Sequence, residues 1–408
     1  MACGRVEGVK VIPLLGLVLI PADPFQNLSV IYFGNDWFAE NRTSSHHIAR
    51  ELARRLPVLY VDTPGMRSPT ASTRDLRKMF RIARKFLAVP ESVGPQLWHL
   101  TVPQIPFRRW PFVESLNGAL GRWLVRRAAR FLRFGRRLSW FAVPHPAAMA
   151  GMLQDELVVY YVVDDYAALA QMDVARIQRL DDELTARADV VFVCSETLLS
   201  RKRELNRNVE YSPHGVDFEL FSQAQDSATE MAEDARGLRQ PIIGYFGSIA
   251  GQIDLELIAY LAEQRRNWTF LLIGMASVDV GAIAALPNVH LAGPQPYESL
   301  PRWAKAFDVA IVPYRRDRFV LNSNPLKIRE YLASGKPVVS VRAPEIERFG
   351  DLVFLADSNE DFLHKIEQAL EGETAEICQT RMERVRNSSW EACAERALGR
   401  VKKAFADR

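Results

Sequence analysis

The sequence predicts two Rossmann-like α/β domains in succession with a cleft between them, and three observations carry that expectation. A chain of 408 residues, 48% apolar and 25% charged, is too long for one hydrophobic core, which stops growing at roughly 250–300 residues, and too apolar for a disordered or fibrous chain. Short apolar runs rich in Val, Ile and Leu alternate with helix-length periodic stretches, the pattern of parallel sheets covered on both faces. The alternation is interrupted once, by the turn Ser212-Pro213-His214-Gly215-Val216-Asp217 and the polar, aromatic-free stretch 222–240, which read as a hinge followed by a loop and a loosely held helix.

Taken in order, residues 1–27 form an extension outside the first core. Its apolar run 9–20 is interrupted by Pro13 and Gly16 and is shorter than the roughly 20 residues that span a bilayer; Lys10 within it and the lack of a small-residue cleavage site argue against a secretion signal. The first domain, 28–214, is expected to place strands at 28–33, 58–61, 97–102, 138–143, 157–163, 190–194 and 209–212, with helices at 44–55, 112–134, 173–187 and 195–205. A linker over 215–240 leads to a second domain, 241–386, with strands at 242–246, 270–273, 289–291, 309–312, 338–341 and 352–354. Residues 387–408 form a final helix.

Four cysteines, Cys3, Cys194, Cys378 and Cys393, show no C-x-x-C pair or metal-ligand spacing, which points to a reducing, cytoplasmic setting, with Cys194 at a buried strand end. The net charge of +3 hides an asymmetry: residues 1–150 carry 22 Lys and Arg against 9 Asp and Glu, and the remainder 30 against 40. The basic excess gathers in 74–86 and 122–137, where Arg interleaves with Trp and Phe. Such helices either pack an apolar face on their own domain or lie on an anionic membrane surface. No zinc-finger, homeodomain or RNA-binding pattern accompanies the charge, so no nucleic-acid partner is expected.

The most informative segment runs from Ser323 to Val339. Asn324 can cap a helix, Pro325 suits a first helical position, and Gly335 suits the left-handed residue that ends it before a strand at Pro337-Val338-Val339. A helix that starts in a polar loop presents free N–H groups and the positive end of its dipole. With Lys327 in the first turn, that arrangement suits a diphosphate. Glu330 shares a face with Lys327 and can accept two hydrogen bonds from vicinal hydroxyls such as those of a ribose. An ordinary capped helix with a solvated Lys-Glu pair would carry the same spacing.

The wording of Asn324 to Val339 resembles the donor-site signature of GT-B glycosyltransferases, specifically the family-4-like group. It is closer still to a subgroup of surface-polysaccharide enzymes resembling those of teichuronic-acid biosynthesis. The resemblance extends to Pro213-His214-Gly215-Val216-Asp217, similar to the group's domain-junction turn with His in place of Asn, and to Asn387-Ser388-Ser389-Trp390 leading the last helix. It implies a GT-B fold whose last helix crosses back to the first domain. It also implies a nucleotide diphosphate sugar as donor, no cofactor and no bound metal, and Glu330 on the ribose. The group's first glutamate, eight positions earlier, is replaced by Asn322, which leaves Asn322 or Asn324, with Ser323, to orient the sugar. The Arg and Lys that usually follow the first strand of the second domain are missing from 249–254, so the resemblance assigns phosphate charge to Lys327, Arg315 and Arg316. Tyr297 matches the group's nucleobase wall.

Ligands of open parallel sheets bind at the carboxyl ends of strands. In the second domain that rule selects Gly247 and Ser248, with Gln252 beyond them; a tight strand-to-helix turn would read the same way. In the first domain it selects Asn35, Asp36 and the run Arg42 to His47. His46 or His47 is there a catalytic or phosphate-contacting candidate, with a surface or capping histidine as the plain alternative. Asp164 and Asp165 follow a strand and resemble the subgroup's paired-Asp turn; adjacent carboxyls tend to separate in pKa. His145 is a lesser candidate. No D-x-D stands at a strand end, and Asp181-Asp182 reads as a solvated pair within a helix. The expected activity is transfer of a hexose or deoxyhexose, with retention, to a surface glycan or lipid-linked acceptor. A nucleotide-sugar epimerase of the same fold and a non-catalytic scaffold are the alternatives.

Overall fold

The computed structural model describes residues 10–11, 18–19, 24–39, 42–62, 89–104, 111–168 and 173–408. Strands β1 (Lys10–Val11) and β2 (Val18–Leu19) pair antiparallel within the N-terminal extension. The first sheet comprises β3 (Leu28–Gly34), β4 (Val58–Asp62), β5 (Glu91–Gly94), β6 (Leu97–Thr101), β7 (Arg136–Phe141), β8 (Leu157–Val162), β9 (Val190–Val193) and β10 (Val209–Tyr211), in the order β10-β9-β8-β7-β3-β4-β6-β5. All neighbours are parallel except β5 against β6. That edge strand is absent from the sequence reading because Glu91-Ser92-Val93-Gly94 has no apolar run: it is a polar hairpin arm lying against β6. The central strands β3, β4 and β8 are buried along their whole lengths, as continuous apolar runs covered on both faces require.

The second sheet holds β11 (Ile242–Phe246), β12 (Thr269–Ile273), β13 (Val289–Gly293), β14 (Val309–Val312), β15 (Val338–Val341) and β16 (Val353–Ala356). All its neighbours are parallel, in the order β13-β12-β11-β14-β15-β16. Numbered from its own first strand this is 3-2-1-4-5-6, the doubly wound order whose switch point lies between the first and fourth strands. The stretch expected to be a loose linker is part of this domain: Val216, Phe218, Phe221, Ala224, Ala232 and Ala235 are buried in the second core. Its few apolar residues are widely spaced in a polar run, which hid their shared inward face.

Two chain crossings join the domains and lie side by side. Val216 N–H donates to the Ser388 carbonyl at 2.8 Å, and a Cβ on Gly215 would fall 2.8 Å from the Trp390 nitrogen. The helix Trp390–Ala406 then buries Trp390, Cys393, Ala394, Ala397, Leu398 and Val401 in the core of the first domain. The two sheets, the cleft between them and this returning helix constitute the GT-B fold.

Of the two Arg-rich stretches, 74–86 lies outside the described residues. The other is divided between the helix Pro111–Phe131 and β7. That helix buries Leu124, Val125, Ala128 and Ala129 while leaving Leu116, Trp123 and Phe131 at least half exposed. Among the described residues no helix is long and apolar enough to cross a membrane. Asp181 is not solvated: it is buried in contact with the fully buried Lys202 and accepts from the Tyr160 hydroxyl at 2.6 Å.

Candidate functional site: the interdomain cleft

The lip of the second domain is built at its switch point. Gly247, after β11, has φ +135°, and Gly274, after β12, has φ +141°, conformations that L side chains rarely adopt. Gly274 is also sterically required, since a Cβ there would fall 2.0 Å from the Gly247 carbonyl oxygen; one on Gly247 would fall 2.0 Å from Lys327 Cε, near the end of a flexible side chain. Gly274 lets the Gly247 backbone approach, and bare Gly247 leaves room for Lys327, whose ammonium lies 5.8 Å from the Tyr245 ring centre.

Lys327 belongs to the helix Leu326–Ala333, whose N-terminus opens on the cleft. Pro325 is its N-cap in extended conformation, not its first residue, and no side chain caps it; Gly335 ends it at φ +69°. Asn324 does not cap. Its Nδ2 donates to the Cys194 carbonyl at 2.9 Å and to Glu345 Oε2 at 2.7 Å, and its Oδ1 accepts from Arg329. An amide with both ends occupied by protein is not placed to orient a sugar.

Together the two lips enclose a cavity of about 270 Å³. It is lined by Gly247, Ser248, Gln252, Gly274, Tyr297, Tyr314 and the run Ser323 to Lys327 with Glu330, facing Arg42, Thr43, Ser44, Asp164 and His214. Glu330 is buried beside Lys327 and the Tyr297 hydroxyl. Burial pushes its carboxyl up to about 7 against the pull of the Lys327 charge. Asp164 is likewise raised to about 7 by burial and by the adjacent Asp165, again opposed by Lys327. Burial alone would lower the Lys327 ammonium, but Tyr245, Tyr314 and Glu330 outweigh it and hold its pKa above the ordinary value.

Several residues proposed from sequence serve elsewhere. His46 is buried, and both its ring nitrogens are used: Nε2 donates to the Asp36 carbonyl at 2.9 Å, so Nδ1 accepts from Thr43 N–H at 3.1 Å as half of a capping box. It is the structural histidine of that helix start and does not line the cleft. His145 is half-buried and also outside the lining. Asp165 clasps the domains together, accepting from Arg201 of its own domain and from Arg318 and Asn322 of the other, the last at 2.8 Å. Burial would raise its carboxyl, but those partners hold it below the ordinary range. Asn322, committed to that clasp, leaves the sugar role as well. Arg315 is exposed and donates to the Ile253 carbonyl, while Arg316 binds the carbonyls of Ala356 and Asp357; neither lines the cleft.

Among the lining residues not assigned a role from sequence are Arg42 and His214. Arg42 had only a polar loop to mark it. His214 had its place in the junction turn; its Nε2 bonds the Val163 carbonyl, and burial pulls its pKa down to about 3, so it is neutral.

Two Rossmann-like domains, a cleft at the switch point of the second and a helix returning to the first give this chain the GT-B fold. Residues 240–372, most of the second domain, match the family model described as glycosyl transferases group 1. Over 231 residues the chain is 28% identical to TuaH of Bacillus subtilis (strain 168), which bears the name of an inferred teichuronic acid biosynthesis glycosyltransferase. The match spans 51% of this chain and 56% of TuaH, about half of each. Among solved structures the chain is similar to Anabaena Alr3699/HepE in complex with UDP-glucose (TM-score 0.65, 13% identity, 92% of this chain and 99% of that one). It is also similar to the α,α-trehalose 6-phosphate synthase of Burkholderia multivorans (TM-score 0.65, 13% identity, 93% and 99%). At such identities these two establish the shared fold.

Proposed function

We propose that this protein is a glycosyltransferase that transfers a sugar from a nucleotide diphosphate sugar to a surface glycan or a lipid-linked acceptor, with retention and without a metal. One observation carries the reading. In the cleft, a buried carboxyl, Glu330, stands one turn inside an uncapped helix whose first turn bears Lys327, and Gly247 leaves the backbone beside them bare. A carboxylate there accepts from a ribose diol, while the ammonium and free N–H groups of Leu326–Ala333 stabilise the leaving diphosphate. Ser248 and Gln252 line the same wall, and Tyr297 is the aromatic for the base. With Asn322 and Asn324 occupied, the transferred sugar would lie between Ser323 and the first domain. There Asp164, near neutrality in pKa, is the group suited to exchange a proton with the acceptor hydroxyl. The likeness to TuaH supports a polysaccharide acceptor, and the UDP-sugar complex of HepE supports a nucleotide-sugar donor.

The setting is cytoplasmic, on the inner face of the membrane. The exposed Leu116, Trp123 and Phe131, beside Arg130 on the same helix, suit an anionic lipid surface from which a lipid-linked acceptor would be drawn.

A thermal-shift panel of UDP-, GDP- and dTDP-sugars tests the reading, since a ligand of the folded state alone raises its melting point. One class of donor should stabilise the chain, and Glu330→Ala should abolish the shift. Turnover of a donor without transfer would instead indicate an epimerase, and no shift with any donor would indicate a scaffold.

A further inference from the structure

We propose that Arg42 is the second phosphate-binding cation of the cleft, delivered by the first domain onto the diphosphate of the donor held by the second; this rests on the donor reading above. Among the described residues, the lining of the cleft carries two cationic side chains, Arg42 and Lys327, and two carboxyls, Asp164 and Glu330. A nucleoside diphosphate brings two to three negative charges, more than one ammonium neutralises. The loop after β11 supplies no Lys or Arg between Ile249 and Asp254, and Arg315 and Arg316 are tied to carbonyls outside the lining. On this census the missing charge comes from across the cleft.

Arg42 is already there. It is half-buried in the loop entering the helix Ser44–Ala53, its guanidinium 5.0 Å from the ring centre of Tyr297 and ion-paired with Glu298, both residues of the second domain. Glu298 is mostly exposed, with 60% of its side chain accessible, and exposed pairs of this kind contribute little. A planar guanidinium can stay on the aromatic face while its fork turns from a carboxylate to a phosphate, which it binds bidentately and more strongly in a cleft with little water. Arg50, whose own pKa is lowered first by burial and then by Arg42, adds positive potential on the same lip. Donor binding would then draw the two lips together through one side chain.

Titration calorimetry of the full chain with UDP, GDP and the matching nucleosides tests this. Arg42→Gln should weaken the preferred nucleoside diphosphate roughly tenfold and leave the nucleoside unchanged. Glu298→Gln, which frees the guanidinium, should tighten the diphosphate by about threefold, and the double variant should behave as Arg42→Gln alone. Equal diphosphate affinity in wild type and Arg42→Gln, with Lys327→Ala still impaired, overturns the inference and leaves the donor reading standing. Farnesyl diphosphate, a lipid-diphosphate probe, separates the other source of phosphate: if Arg42→Gln weakens that probe and not the nucleotide, the guanidinium serves the acceptor and the inference falls. A wild-type chain that binds no nucleotide ends both readings.

Discussion

Replacing Glu330 with Gln should make the protein more stable and less able to bind its donor, and the stability gain should depend on pH. A carboxyl whose ordinary pKa is 4.5 and which the cleft holds at about 7 binds its proton more tightly in the folded chain than in the unfolded one. Below pH 4.5 it is neutral in both states and costs nothing. Between pH 4.5 and 7 the unfolded chain ionises first, so the folded state loses stability as pH rises, by about 1.4 kcal/mol per pH unit. Above pH 7 the loss is complete, at roughly 3 kcal/mol. A glutamine side chain at this position would have the same shape and no charge, so the variant escapes that cost.

Wild type and Glu330→Gln are therefore expected to melt close together near pH 4.5 and to separate by roughly 6–10 °C at pH 8 for a domain of this size. Donor affinity should move the other way. Losing a charged acceptor for two ribose hydroxyls costs about 2–3 kcal/mol, or roughly 30- to 150-fold in Kd. Thermal melts across pH, with calorimetry at pH 8, read both effects. A stability gain that is absent, or equal at every pH, would refute the claim that the cleft disfavours an ionised carboxylate. Unchanged nucleotide affinity would remove Glu330 from the ribose.

Four further outcomes follow from the same geometry. Gly247→Ala puts a Cβ 2.0 Å from Lys327 Cε and should displace the ammonium, raising the donor Kd at least about tenfold by calorimetry, with a strain cost of about 1–3 kcal/mol at its positive φ. Asp165→Asn removes the charge shared by Arg201 and Arg318 and should cost on the order of 3 kcal/mol at neutral pH. The difference from wild type should shrink as pH falls through the carboxylate range, because the folded-state pKa is depressed, and small-angle scattering should show a more open pair of domains. His46→Ala should destabilise the chain by about 1–2 kcal/mol through loss of the capping box while leaving kcat within a few-fold of wild type; a large loss of kcat without loss of stability would restore it to the chemistry. Trp123→Ser with Phe131→Ser should reduce co-sedimentation with anionic vesicles and leave nucleotide binding intact.

Most of the fold is legible in the sequence because both sheets, β5 apart, are parallel and largely buried, and buried parallel strands appear as uninterrupted apolar runs. The runs at 242–246, 309–312 and 338–341 coincide with β11, β14 and β15. What escaped is polar at the level of single residues. β5 has no apolar run, and the buried residues of 216–235 are scattered among acids and amides. The second domain's lip was legible for a related reason: Pro325, Lys327, Glu330 and Gly335 write a helix start, its charge, its carboxyl and its stop within a dozen residues. The opposite lip is assembled from single residues on separate loops, with Arg42 before one helix, Asp164 after β8 and His214 in the crossing, and no spacing along the chain records that they meet.

Three of the residues misassigned from sequence share one physical trait. Asn322, Asn324 and Asp165 are polar residues beside a cleft, which is where substrate contacts are sought, yet each is committed to the junction between the domains. Ser195 donates to the Asn322 carbonyl at 2.7 Å, Tyr211 to Glu345 at 2.7 Å, and Glu196 N–H to Glu345 at 2.9 Å, so the network around Asn324 crosses from one domain to the other. A two-domain protein needs buried polar partners on both sides of its junction for the same reason a substrate does: a desolvated donor or acceptor left unmatched costs about 1–3 kcal/mol. The two demands draw on the same residue types in the same loops. Burial and partners separate them: side chains whose donors and acceptors are already matched across the junction hold the domains, whereas Glu330, Asp164 and Lys327 lie on the cavity wall with shifted pKa values.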